Sequence, residues 1–365
     1  MRLALTALLA LTAAHASAEE VTSTTTDTST TTEGDAPEEA ESGTAQPVGP
    51  ALLYTRELTD QVLARMFRDE LESLGTVSVG FADRGRVINA MQMPRDPAWI
   101  VERPNYAYAT RETIESLAQV FRSVRRQFPD SAPARLSHLG ARDGGPLRPH
   151  RSHQSGRDAD IGLFYRGDRF PPRNARREAF IDPARNWALL RALITETDVQ
   201  LVLVDQNIQT VLRRYALSIG ENAAWLSHVF GGIVRHARAH RDHFHARFYA
   251  PRSQELGRRL QPLLALRPEQ NLTVHVVHAG NTLGQVASRY KTSVAAIRKA
   301  NRLKVSSVLR PGQQLVVPLR GVCTRCPLPP PLAIPPRMLP PDPPPSDARA
   351  WAGGSGINPE MATAE

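Results

Sequence analysis

Two short clusters, His150-Arg-Ser-His153-Gln-Ser-Gly-Arg-Asp158-Ala-Asp160 and His240-Arg-Asp-His243-Phe-His245, constrain this chain more than any other feature. Together they hold five of its eleven histidines. Imidazoles and carboxylates crowded in this way are costly to bury unless something compensates them, and a divalent metal ion does so. The second cluster alternates: Phe244, Ala246 and Phe248 fall on one face of an extended strand, and His243, His245 and Arg247 on the other. With the apolar face packed inward, both imidazoles point into one cleft. A strand beginning near Asp158 points Asp158 and Asp160 one way and Ile161 the other, with His153 in the loop before it. Imidazole, carboxylate and imidazole make a three-ligand zinc set with a fourth position for water. Such a water ionises near pH ~7 and supplies a nucleophile. A histidine pair two residues apart also describes an ordinary exposed strand face. The two clusters together carry the metal reading, and His150 and His240 add groups for hydrogen bonding and proton transfer.

The chain has 365 residues and a formal charge of +9, and 41% of its residues are hydrophobic. That length accommodates two or three domains. The positive charge is nearly all arginine, since Lys291, Lys299 and Lys304 are the only lysines. An acidic partner, whether nucleic acid, a membrane surface or an anionic cell-wall polymer, fits this balance, although a basic surface also serves solubility. Met1-Arg2, the apolar run Leu3 to Ala14 and Ala16-Ser-Ala18 predict a secretory signal peptide over 1–18, cleaved after Ala18. No segment is apolar enough for a membrane span, so a periplasmic or otherwise exported protein is expected. Nucleic-acid binding is not expected, because export and the lack of an aromatic-basic motif count against it. Cys323 and Cys326, the only cysteines, are placed to close one small disulfide.

Residues 19–49 are rich in Thr, Ser and Glu and predict a disordered spacer. Helical spacing runs from Arg56 to Leu74, strand alternation from Thr76 to Phe81, and an amphipathic helix from Glu112 to Phe128 with Thr110 as its cap. A helix from Trp187 to Thr197, a buried strand from Val199 to Val204 and a helix from Ile208 to Ala216 follow. Helices and strands without regular βαβ alternation indicate an α+β domain over 50–260, built on a central antiparallel sheet. A βααβ pattern occupies 272–319, and a proline-dense, disordered tail is expected over 320–365.

The βααβ unit resembles a LysM module through His278-Ala-Gly-Asn-Thr-Leu283, the Asn301-Arg-Leu303 step and Leu309-Arg-Pro-Gly-Gln-Gln-Leu315. The resemblance implies binding to N-acetylglucosamine-containing glycan. Pro149 to Ile161 and His240 to Arg247 resemble the two signature motifs of the penicillin-insensitive murein endopeptidases, zinc peptidases related to the D,D-carboxypeptidases. The resemblance covers roughly residues 75–250, including Ala109 to Thr113 and Val202 to Asp205. It implies one Zn2+ held by His153, Asp160 and His245, with His150 as a further ligand or a neighbour of the ligands. By the same match His243 hydrogen-bonds the reacting carbonyl or water, His240 is a candidate base, and Asp158 stands behind the ligands. Enterobacterial members are crosslinked by several disulfides, whereas this domain has no cysteine. A further metal site of some members, from an Asp/His pair after the first motif, is not carried over, because residues 166–187 hold no histidine.

The implied activity is hydrolysis of D-alanyl–meso-diaminopimelate cross-links in peptidoglycan, with the LysM module holding the enzyme on the wall. A D,D- or L,D-carboxypeptidase of the same zinc group, and a non-catalytic peptidoglycan-binding protein, are the alternatives.

Overall fold

The computed structural model describes residues 54–342. The expected signal peptide over 1–18, the expected disordered spacer over 19–49 and the end of the proline tail lie outside the described residues. Helix α1 (Asp60–Asp69) begins where the Thr59 hydroxyl accepts the Val62 amide. The helical pattern expected from Arg56 to Leu74 resolves into α1 and a separate 3-10 turn, Leu71–Leu74. Strands β1 (Val77–Gly80) and β2 (Gly85–Ile88) form an antiparallel hairpin. After β3 (Met91–Gln92), β4 (Trp99–Val101) and β5 (Tyr108–Ala109), helix α2 (Arg111–Gln127) starts at Thr110, the cap that its sequence predicts.

Strands β6 (Ala134–Leu136) and β7 (Asp158–Gly162) are followed by α3 (Pro183–Glu196). This helix starts earlier than its apolar spacing indicates, because Asp182 caps it and Pro183 takes the first position. Strand β8 (Val199–Val204), helices α4 (Gln206–Ser218) and α5 (Ala223–His228), strands β9 (Val234–His236) and β10 (His243–Phe248), and helix α6 (Pro251–Leu260) complete the domain. Gly257 lets α6 lie on β1, since a Cβ there would fall 1.8 Å from the Ser78 carbonyl oxygen.

The main sheet has the order β4-β6-β7-β10-β8-β9. Its four central strands are antiparallel, as expected, and both edge pairs are parallel. Phe244, Ala246 and Phe248 of β10 are fully buried in a core with Ile114, Leu117 and Phe121 of α2 and Leu189 and Leu193 of α3. Each such phenylalanine contributes about 1.5–3 kcal/mol through burial. The helices thus take the apolar face of β7 and β10, and the face bearing Asp158, Asp160, His243, His245 and Arg247 is left for polar chemistry. The domain is α+β.

The βααβ unit contains β11 (Leu272–Val276), α7 (Leu283–Arg289), α8 (Val294–Asn301) and β12 (Gln314–Pro318). Thr282 and Gln285 form a capping box on α7, and Ser293 caps α8. Val277, Val286, Ile297, Leu315 and Val317 fill a small core, against which the Cys323–Cys326 disulfide packs.

The proline-rich segment departs from the disordered tail expected from residue 320. Proline has no amide hydrogen but keeps its carbonyl acceptor. Gln261 Nε2 donates to the Pro327 carbonyl at 2.9 Å and Arg258 Nε to that of Pro329 at 3.2 Å. Farther on, Arg337 pairs with Asp198 at 2.7 Å, and Met338 packs on the main core while its carbonyl accepts from Trp225. This part of the tail lies along the larger domain. Among the described residues no helix is long and apolar enough to cross a membrane.

Candidate metal centre

The register of β7 and β10 sets His245 opposite Asp160 and Arg247 opposite Asp158. Directly opposed residues on antiparallel neighbours share a face, so the alternation in each strand delivers one histidine and one carboxylate to the same spot. His153 arrives from the preceding loop with φ +65. The three side chains converge on one point: His153 Nε2 is 3.0 Å from Asp160 Oδ1 and 3.1 Å from His245 Nδ1, and His245 Nδ1 is 3.1 Å from Asp160 Oδ1. All three residues are at most 3% exposed. Tetrahedral zinc with bonds of about 2.0–2.1 Å requires ligand atoms roughly 3.3 Å apart. The triangle meets that spacing almost without rearrangement, and its two imidazoles and one carboxylate are donors typical of catalytic zinc.

The groups behind the triangle fix its orientation. The Leu139 carbonyl lies 2.8 Å from His153 Nδ1, which makes that nitrogen the N–H donor and leaves the Nε2 lone pair facing the triangle. Asp158 Oδ2 accepts the His153 backbone amide at 2.8 Å, and Arg247 Nε donates to Asp158 Oδ1 at 2.7 Å. Asp158 therefore stands behind the ligands and joins the loop to β10. Gly156 sits at φ +75, and a Cβ there would come within 3.0 Å of the Thr110 amide, which donates to the Gly156 carbonyl. The Ser-Gly step in the first cluster is thus a packing requirement of the turn before β7.

The electrostatics call for a cation at this point. Burial alone would push both carboxylates up, but His153 and His245 outweigh it at Asp160, and Arg247 and His245 do so at Asp158, so both are held well below the usual carboxylate range. Burial would likewise push His153 down, yet Asp160, Asp158 and the Leu139 carbonyl lift it to about 9. In the metal-free triangle a proton on His153 supplies the charge that Asp160 demands.

A cleft of about 380 Å3 opens in front, lined by His150, Arg151, His153, His240, His243 and His245 among others. His243 is partly exposed; its Nδ1 lies 2.8 Å from Asp242 Oδ1 and its Nε2 lies 3.7 Å from Asp160 Oδ1. The rings of His240 and His243 are 4.9 Å apart. Burial, reinforced by His245 and His243, pushes His240 down to about 3, so it is neutral at physiological pH, and its buried Nδ1 has no hydrogen-bond partner among the described residues. His150 is also near the site but outside the triangle: its Nδ1 faces the other carboxylate oxygen, Asp160 Oδ2, at 3.5 Å.

One residue of the site, His138, escaped the sequence reading. Its Nδ1 lies 3.7 Å from Asp160 Oδ2, and its ring is 4.6 Å from that of His150. It follows β6 as a lone histidine, placed by backbone pairing in which the Asp160 amide donates to the His138 carbonyl at 2.8 Å.

Comparison with known families agrees with this geometry. A family model described as penicillin-insensitive murein endopeptidase matches residues 78–265, more than half of the 365 residues, and a LysM domain model matches residues 275–318. No curated protein matches the chain.

Proposed function

The chain belongs to the penicillin-insensitive murein endopeptidase family, and on that premise we propose that it is an exported, zinc-dependent peptidase that cleaves D-alanyl–meso-diaminopimelate cross-links in peptidoglycan. The observation that carries this reading is the buried triangle of His153, Asp160 and His245, with ligand atoms 3.0–3.1 Å apart and a cleft before it. Those three residues would hold the ion. Bound zinc supplies a Lewis acid that polarises the scissile carbonyl and acidifies a water.

The chain's own groups account for the remaining proton transfers. His243 is oriented by Asp242, so that its Nε2 faces the ligand set. It accepts the proton of the attacking water and delivers it to the leaving amine as the C–N bond breaks. His240 is neutral and acts as a hydrogen-bonding partner of the reacting carbonyl. This exchanges the roles that the family resemblance implies for the two residues; the Asp242 contact supports the exchange. No serine is acylated in such a reaction, so β-lactams do not inhibit it.

The LysM module supplies attachment. Peptidoglycan glycan is the ligand class of such modules, and tethering raises the effective concentration of the catalytic domain at a cross-link. The arginine-rich surface favours approach to an anionic wall. Digestion of a defined cross-linked muropeptide dimer, followed by mass spectrometry, tests the reaction. Conversion of dimer to monomers supports it; loss of a single terminal alanine identifies a carboxypeptidase; an unchanged dimer with zinc present identifies a binder.

A further inference from the structure

Asp160 has two carboxylate oxygens, and the triangle uses one. Oδ1 faces His153 and His245. Oδ2 faces His150 at 3.5 Å and His138 at 3.7 Å, both through Nδ1. One ligand atom from each of His138, His150 and Asp160 lies within 4.8 Å of the others. We propose that His138, His150 and Asp160 Oδ2 form a second divalent-cation site, bridged to the first through Asp160.

The donor set defines the ion class. Two imidazole nitrogens and one carboxylate oxygen favour zinc or a neighbouring first-row divalent ion over calcium or magnesium, which prefer oxygen ligands. A carboxylate that bridges with one oxygen to each ion suits two-metal sites, where the ions stand about 3.5–4 Å apart. His138 and His150 have side-chain exposures of 13% and 20%, against 0% for His153 and 4% for His245. The second site is therefore open to exchange with solvent in a way that the first is not.

Preorganisation ranks the two affinities. The first triangle is closed, with all three edges at 3.0–3.1 Å and side chains at most 4% exposed, whereas the second holds its imidazoles 3.5 and 3.7 Å from Asp160 Oδ2 on side chains 20% and 13% exposed. The second ion consequently binds more weakly. The shared carboxylate also couples the sites, since charge drawn from Asp160 by one ion is unavailable to the other. Because His150 lines the cleft, a second ion adds positive charge to the wall along which a peptide carboxylate would lie.

The proposal rests on the first triangle holding a metal, and one titration separates the two claims. The full chain is stripped with chelator and titrated with zinc by calorimetry, with bound metal counted by mass spectrometry after dialysis. The expected result is two ions per chain, one tight and one weak. His138→Ala is expected to keep the tight step and weaken the other by at least about tenfold. His150→Ala should do the same, and thermal melting of each stripped variant reports whether it has folded. A single tight ion in the wild-type chain overturns the second site and leaves the first intact, as does a folded His138→Ala and His150→Ala pair that each still bind two. No bound ion at all overturns both claims.

Discussion

His245 on β10 stands directly opposite Asp160 on β7, with its Nδ1 3.1 Å from the Asp160 Oδ1. The sheet register alone sets this relationship, and a slip of β10 by one residue would turn His245 into the apolar core. The proposed metal site is thus set by the same pairing that holds the sheet together. Asp160→Ala and His245→Ala are expected to abolish tight zinc binding and hydrolysis together, by removing one of three ligands. Metal analysis and dimer digestion on the same preparation check this.

Asp158 is a stability residue as much as a site residue. It and Arg247 are 1% and 4% exposed and bound to one another. Asp158→Asn removes the carboxylate that Arg247 and the His153 amide share, at a cost of about 3–5 kcal/mol. Denaturant unfolding of the metal-free protein should show that loss as a lower midpoint with an unchanged slope.

The pH dependence follows from His153. Its pKa is about 9 in the folded, metal-free protein against an ordinary value of 6.5. Between those values the folded state binds the extra proton, so metal-free stability is complete below about 6.5 and declines as pH rises towards 9. Zinc displaces that proton, and binding near neutral pH should release about one proton. Calorimetry in buffers of different ionisation enthalpy measures the release; a buffer-independent heat would contradict it.

Gln314 links the LysM unit to the loop that carries His150 and His153. Gln314 Nε2 of β12 donates to the Arg151 carbonyl at 2.9 Å and to the Asp83 carbonyl at 2.8 Å. Gln154 Nε2 reaches the same two carbonyls. Gln314→Ala should leave zinc binding and LysM folding intact yet lower kcat on a soluble dimer by up to about tenfold, through misplacement of the loop that carries His150 and His153. Unchanged kcat would show that the module acts only as an anchor.

Strand alternation made Phe244, Phe248, Asp158 and Asp160 legible before any coordinates, because side-chain direction in a strand follows from spacing alone. Thr110 was legible as a helix start for a similarly local reason. Which carboxylate oxygen faces which histidine was not, since it depends on the register of distant strands. His138 is the clearest case: its neighbours in sequence carry no metal-binding pattern, and only its backbone pairing with Asp160 brings it to the site. The docked proline segment was invisible for the opposite reason. Its composition describes an extended chain equally well with or without a surface to lie on, and contacts such as Met338 on Trp225 are made by single residues.

A zinc-dependent cut across a peptide cross-link is tested most directly on a defined D-alanyl–meso-diaminopimelate-linked muropeptide dimer, followed by mass spectrometry with the metal-loaded, chelator-stripped and zinc-restored protein. Conversion of dimer to monomers by the loaded and restored forms, and none by the stripped form, is the predicted result. Equal conversion by the stripped protein, or no conversion by any form, would contradict the account.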